Sequence, residues 1–248
     1  METIDRLIEI LCKERGEAVP HLSEREKPNF FRALCNVREP IAPTEEFLRL
    51  QDEYLGEKKK LKSVVDAEKL TYKNGIALFK GDVTTLNSDA VVNAANSRML
   101  GCFRPLHNCI DNAIHSAAGV QLRLECNEKM QGKEAKNGEV LVTNAYNLPS
   151  KYVFHVVGPI VYGKVTETNE NDLKKCYRNC LIKADEMRLK TIAFCCISTG
   201  VFGYPKELAA ETAVACVKEY FKEKKSDLKV IFNVFTEEDY EIYGRILG

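Results

Sequence analysis

The chain lacks any excess of charge. Its 248 residues carry 36 Lys and Arg against 36 Asp and Glu. Without a basic surplus there is no electrostatic footprint for DNA, RNA or an anionic membrane as the main partner, although a local pocket for a small anion is still admitted. No apolar run approaches the roughly 18 residues of a membrane helix. The opening Met1-Glu2-Thr3-Ile4-Asp5 has neither the basic nor the apolar region of a signal peptide. Both absences point to a cytoplasmic protein with no membrane and no nucleic-acid partner. Internal repeats and low-complexity segments are missing too, as are the Gly-Lys-Ser/Thr ending of a P-loop and the GxGxxG pattern. The length suffices for one large domain, or one domain and an extension.

Cysteine is abundant, with ten residues, but nothing suggests export, so a disulfide scaffold is not expected. Cys195 and Cys196 sit in an apolar strand-like run, and Cys176, Cys180 and Cys216 fall on apolar helix faces. All five read as buried, reduced thiols. Cys102 and Cys109 differ, because they flank His107 in the polar loop Gly101–Cys109. Cys and His are preferred zinc ligands. A tetrahedral site with only three protein ligands leaves a position for water or substrate. A structural site would need a fourth ligand, and a distant thiol such as Cys126 is the alternative that closes it.

The first seventy residues differ from the rest. Ile4, Leu7, Ile8 and Leu11 follow helical spacing, as do Phe30, Phe31, Leu34 and Val37, and a third helix is expected after Thr44. Residues 1–70 therefore read as a helical N-terminal extension and 71–248 as an α/β domain. Strands are expected at Ile76–Phe79, Ala90–Ala94, Glu139–Thr143, Tyr152–Val157, Thr191–Ile197 and Lys229–Phe235. Helices are expected at Cys109–Ala118, Asp172–Met187, Pro205 to about Lys222, and after the N-cap Thr236.

Several loops after strands carry small and amide residues: Gly81-Asp82-Val83-Thr84, Asn93-Ala94-Ala95-Asn96-Ser97 and Ser198–Pro205. In open α/β sheets ligands bind at the carboxyl ends of strands. In the last loop Gly200 and Gly203 let backbone approach a ligand closely, and the helix N-terminus that follows favours a phosphate or diphosphate.

These motifs, with Ala113–Gly119, His155-Val156-Val157-Gly158-Pro159 and the closing Thr236–Tyr243, resemble the macrodomain family, the ADP-ribose-binding α/β module. The likeness covers about residues 71–248. It implies a three-layer α/β/α fold with a mixed, mostly parallel sheet, here preceded by the helical extension. Hydrolytic macrodomains ordinarily carry a glycine run ahead of the helix that begins near Cys109. This chain has Gly101–Cys109 instead, which is similar to the zinc-dependent branch that removes ADP-ribose from modified proteins. Some of that branch act opposite a sirtuin-type ADP-ribosyltransferase linked to lipoylated carrier proteins.

The resemblance implies that Asp82 accepts from the adenine amino group beside Val83, and that Phe235 packs on the base. It puts Asn93 and Asn96 near the distal ribose. Ser198, Thr199, Gly200, Val201, Phe202, Gly203 and Tyr204 would wrap the diphosphate, with Phe202 over the distal ribose. Cys102, His107 and Cys109 become the ligands of a zinc cofactor. That zinc has two roles open to it: acidifying a water, or engaging the distal ribose as a Lewis acid. Asp111, one turn into a helix expected to be capped by Asn108, is the candidate to orient or deprotonate water, with Asn96 beside it at the reacting sugar. The competing assignment for Asp111 is a plain capping interaction. His115 and His155 read as structural. The expected activity is zinc-dependent removal of mono-ADP-ribose from protein side chains. The alternative is a non-catalytic ADP-ribose reader with a structural zinc.

Overall fold

The computed structural model describes residues 2–248. It opens with α1 (Thr3–Glu14), α2 (Lys27–Val37) and α3 (Glu45–Leu61). The apolar stripe of α1, formed by Ile4, Leu7, Ile8 and Leu11, meets Phe31 and Leu34 of α2 and Phe47 and Leu50 of α3 in a core of their own. Thr44 caps α3 by accepting from Phe47 N at 3.2 Å. Val120, from the α/β part, completes this core.

The remaining elements, in chain order, begin with β1 (Val65–Asp66), β2 (Ile76–Lys80), β3 (Leu86–Asn87) and β4 (Ala90–Ala95). There follow α4 (Ile110–Ala118), α5 (Val120–Met130), β5 (Val140–Asn144) and β6 (Tyr152–Val157). The chain closes with α6 (Glu167–Glu186), β7 (Thr191–Phe194), α7 (Lys206–Lys224), β8 (Lys229–Val234) and α8 (Glu237–Leu247). β1 and β3 make a small parallel ribbon, and the main sheet has the order β2-β8-β7-β4-β6-β5. Only β5 runs antiparallel to its neighbour. The sheet is thus mixed and mostly parallel.

Successive strand residues face opposite sides, and the burial follows that alternation. Val91 of β4 and Ile231 of β8 pack with Ile114 and Ala118 of α4 and Leu122 of α5. Their neighbours Val92 and Phe232 pack with Leu173 and Tyr177 of α6, Val217 of α7 and Tyr243 of α8. The result is three layers, with the extension docked beside α4 and α5. Among the described residues no helix is long and apolar enough to cross a membrane.

Three local differences from the sequence expectation have physical causes. α6 starts at Glu167, not Asp172, because Thr166 and Asn169 form a reciprocal capping box upstream. β7 stops at Phe194, where the chain leaves the sheet toward the cleft. α5 carries no clean apolar stripe, and its Arg123 is buried, so its helix left little periodic trace.

Candidate active site

Because β2, β8, β7 and β4 are parallel, their carboxyl ends gather at one edge of the sheet. A cavity of about 1040 Å³ opens there. Asp82 and Val83 after β2, Asn96 after β4, Ser198 to Phe202 after β7, and Phe235 after β8 all line it. Cys102, His107, Cys109 and Asp111 line the same cavity.

Three residues expected at the nucleotide are set back from it. Asn93 is fully buried, since the alternation of β4 turns it toward the α4 layer. There its Nδ2 donates to Asp111 Oδ1 at 2.7 Å and lies 3.1 Å from His155 Nδ1. Tyr204 is buried in the core beneath α7. Gly203 is a turn residue with φ +70°, closed by its N–H donating to Gly200 O.

At the β2 end, Asp82 Oδ1 accepts from Thr84 N and Oγ1 at 2.9 and 2.7 Å. Its Oδ2 accepts from Lys62 Nζ, at the end of the extension, at 2.7 Å. Burial alone would push the Asp82 carboxyl up, but the bonds from Lys62 and Thr84 prevail and hold it below the ordinary carboxylate range. Across the cavity, the N–H groups of Gly200, Val201 and Phe202 donate to no other group among the described residues. They sit just ahead of the N-terminus of α7. Phe235 is 77 % exposed at its rim.

The expected cap of α4 is corrected by one residue. The helix begins at Ile110, and the Cys109 thiol, not Asn108, accepts from Asn112 N at 3.4 Å. This frees Asp111 from capping. Its carboxylate turns inward and accepts from Asn93 Nδ2 and, at 3.4 Å, from Asn96 Nδ2. Asn96 also donates to Gly101 O at 3.2 Å, which ties the β4 end to the cysteine loop. Burial pushes the Asp111 carboxyl up to about 6, against the pull of the Asn93 bond and Arg123. His115 Nε2 lies 3.5 Å from Asp111 Oδ1, but burial drives its pKa well below the usual imidazole value and keeps it neutral.

One donor atom from each of Cys102, His107 and Cys109 lies within 4.8 Å of the other two. Cys102 Sγ and His107 Nδ1 are 3.6 Å apart. A tetrahedral ion with bonds of about 2.0–2.3 Å has ligand–ligand edges of roughly 3.3–3.8 Å, a range that includes the Cys102–His107 separation, so these three residues could hold a metal ion. Burial, helped by the neighbouring Cys102, pushes the Cys109 thiol up to about 11. Thiols bind such a cation as thiolates. Among the described residues, no fourth Cys, His, Asp or Glu joins this set. Cys126 belongs to a separate buried group with His115 and His155, its Sγ 3.5 Å from His155 Nε2. That removes the structural fourth ligand weighed from sequence.

The comparisons with known proteins bear on this cleft directly. A Macro domain family model matches residues 92–213. A protein-ADP-ribose hydrolase of Staphylococcus aureus (strain MRSA252) is 48% identical over 218 residues, spanning 86% of this chain and 82% of that protein. The chain belongs to the macrodomain family. A second protein-ADP-ribose hydrolase, from Treponema medium, is 44% identical across 98% of this macrodomain chain and 97% of its own length. Among solved structures, a Trypanosoma brucei macrodomain in complex with ADP-ribose is 30% identical, covers 100% of this chain and 97% of its own, and superposes with a TM-score of 0.66. An Oceanobacillus iheyensis macrodomain variant with ADPR is 36% identical, covers 69% of this chain and 91% of its own, and has a TM-score of 0.64.

The macrodomain cleft also rests on residues that sequence reasoning missed. Arg123, only 5 % exposed, donates from Nε to Leu100 O at 2.7 Å and from Nη1 to Arg38 O at 2.5 Å. Its guanidinium lies 4.0 Å from the Phe103 ring centroid. Arg32 of α2 is shared between the cleft and the space under the extension. On α2, Asn36 falls beside Asn29 and Arg32, away from the Phe31 and Leu34 stripe, so the periodicity of the helix gives no sign that this polar side is covered.

Proposed function

We propose that this chain is a zinc-dependent hydrolase that removes mono-ADP-ribose from modified protein side chains and releases ADP-ribose. The observation that carries the reading is the sharing of one cavity by a nucleotide-sized set of contacts and a reactive set, Asp111 with Cys102, His107 and Cys109. Relatives named protein-ADP-ribose hydrolase, at 48% and 44% identity, support it. Residues 71–248 form the catalytic macrodomain and residues 1–70 its extension. Ten free thiols suit a reducing compartment, and we assign the enzyme to the cytoplasm.

In this reading Asp82 accepts the adenine amino group, Val83 packs beside it and Phe235 stacks on the base. Ser198, Thr199 and the N–H groups of Gly200, Val201 and Phe202 take the diphosphate, helped by the N-terminus of α7. Phe202 covers the distal ribose, and Asn96 holds its hydroxyls. Asp111, steadied by Asn93, orients or deprotonates the attacking water. Cys102, His107 and Cys109 would hold the zinc, which would supply Lewis acidity for acidifying the water or engaging the ribose, moderated by the negative charge of two thiolates.

The test is the zinc content of the purified protein, measured with ADP-ribose release before and after chelation. About one zinc per chain is expected, with release lost on chelation and restored by zinc. Bound zinc and ADP-ribose affinity without release from Asp-, Glu- or Ser-linked substrates would make the chain a reader instead. A second prediction concerns recognition. Asp82→Ala should weaken ADP-ribose binding about 10–100-fold, since a hydrogen bond to a charged group is worth about 1.5–3 kcal/mol. Turnover at saturating substrate should stay within a few-fold, and unchanged affinity in calorimetry would refute the adenine assignment.

A further inference from the structure

The loop that carries the three candidate zinc ligands has no regular structure between Gly101 and Asn108. Met99, Gly101 and Leu106 adopt φ of +55°, +81° and +54°. A Cβ on Gly101 would come within 2.9 Å of three atoms of the buried His115 ring, so the loop turns tightly against α4. Its main chain makes few bonds of its own; within it, His107 N donates to Arg104 O at 3.3 Å. Five further main-chain groups, Gly101 O, Cys102 O, Arg104 O, Leu106 N and His107 O, are met by side chains from outside.

Two of those side chains come from α2. Asn36, 2 % exposed, accepts from Leu106 N at 3.0 Å through Oδ1 and donates to Ser116 Oγ at 3.1 Å through Nδ2. Arg32 donates to His107 O at 3.3 Å and to Asn112 Oδ1 at 2.6 Å. Asn112 in turn donates to Arg104 O at 3.1 Å. Arg123 completes the brace, linking Leu100 O and Cys102 O of the loop to Cys35 O and Arg38 O at the end of α2. Leu106 and His107 are therefore held directly from the extension.

We propose that α2 is part of the metal centre. Arg32 and Asn36 act as positioning residues that hold the Cys102–Cys109 loop in its ligating conformation, so the extension sets the affinity for zinc. This rests on the zinc reading given above. An unbraced loop would have to be ordered by the ion itself, and that ordering entropy comes out of the binding free energy. Partners that orient metal ligands typically change metal affinity by about 10–100-fold when removed.

The experiment titrates the metal-free full-length protein with zinc in competition with a chromogenic chelator. It compares the natural chain with Asn36→Ala, Arg32→Ala, Arg32→Lys and, as a control, Arg6→Ala, which breaks the pairs with Glu9 and Glu46. Zinc affinity should fall about 10–100-fold in Asn36→Ala and Arg32→Ala, fall less in Arg32→Lys, and hold in the control. ADP-ribose affinity of Asn36→Ala should remain within about threefold, because Asn36 does not line the nucleotide cleft. Should Asn36→Ala fail to fold, the two Arg32 variants, at a less buried position, carry the test. If the natural chain binds zinc and the variants bind it equally well, the role of α2 is overturned and the zinc reading stands. If the natural chain binds none, the zinc reading falls first and this inference with it.

Discussion

Replacing Cys102 with Ser, or His107 with Ala, is expected to abolish ADP-ribose release while leaving ADP-ribose binding largely intact. Both residues line the cavity, but the groups assigned to the adenine and diphosphate come from other loops, after β2, β7 and β8. Loss of one ligand from a three-ligand set leaves a site too poor to retain zinc. Lewis-acid stabilisation of a transition state is worth several kcal/mol, so kcat should drop by about 10²–10³-fold or more. The dissociation constant for ADP-ribose should move by less than about threefold. Calorimetry and single-turnover release on the same preparations check both halves. Binding lost in step with activity would mean that the metal loop and the nucleotide loops are not separate units.

Asp111→Asn should give the opposite pairing, with turnover lost and the fold stabilised. The carboxylate is 5 % exposed. Among the described residues its one basic neighbour within 4.0 Å is His115, which burial holds neutral. A buried, unpaired charge costs stability, and an amide of the same size keeps the acceptor that Asn93 Nδ2 needs. We expect a gain of about 1–2 kcal/mol, or roughly 2–6 °C in Tm. An amide cannot take a proton from water, so kcat should fall about 10²–10⁴-fold. Release within tenfold of the natural chain would return Asp111 to a structural role. A lower Tm would show that its charge is better satisfied than the geometry indicates.

Much of the fold could be read in the sequence because its signals are local. The spacing of Ile4, Leu7, Ile8 and Leu11 marks α1, and each main-sheet strand falls within a few residues of its apolar run. Asp82, Asn96 and Ser198 could be singled out as candidates because they follow strand ends, two residues after β2, one after β4 and four after β7. What stayed hidden are contacts across long sequence separations. Arg32 reaches His107 O across 75 residues, Asn36 reaches Leu106 N across 70, and Arg123 reaches Cys35 O across 88. Such side chains leave no periodic trace, and on the sequence alone Arg32 and Arg123 look like ordinary surface charges. The bond from Lys62 to Asp82 was hidden in the same way, behind a lysine-rich stretch that reads as a solvated face. Asn93 stands apart for a different reason: the resemblance put it near the distal ribose, and the two-residue period of β4 turns it behind Asp111.

The gathering of parallel strand ends at one edge has an evolutionary corollary. Loops that meet there are neighbours in space but independent in the gene, since each begins and ends on its own strand or helix. In the assignment proposed here, recognition of the nucleotide is distributed over three of them, and bond cleavage is concentrated in the segment joining β4 to α4 and the first turn of α4. Insertion or recoding of that one segment could therefore exchange one chemistry for another, or silence it, without renegotiating what the scaffold recognises. The sheet edge works as a socket, and the β4–α4 segment as an interchangeable tool fitted into it.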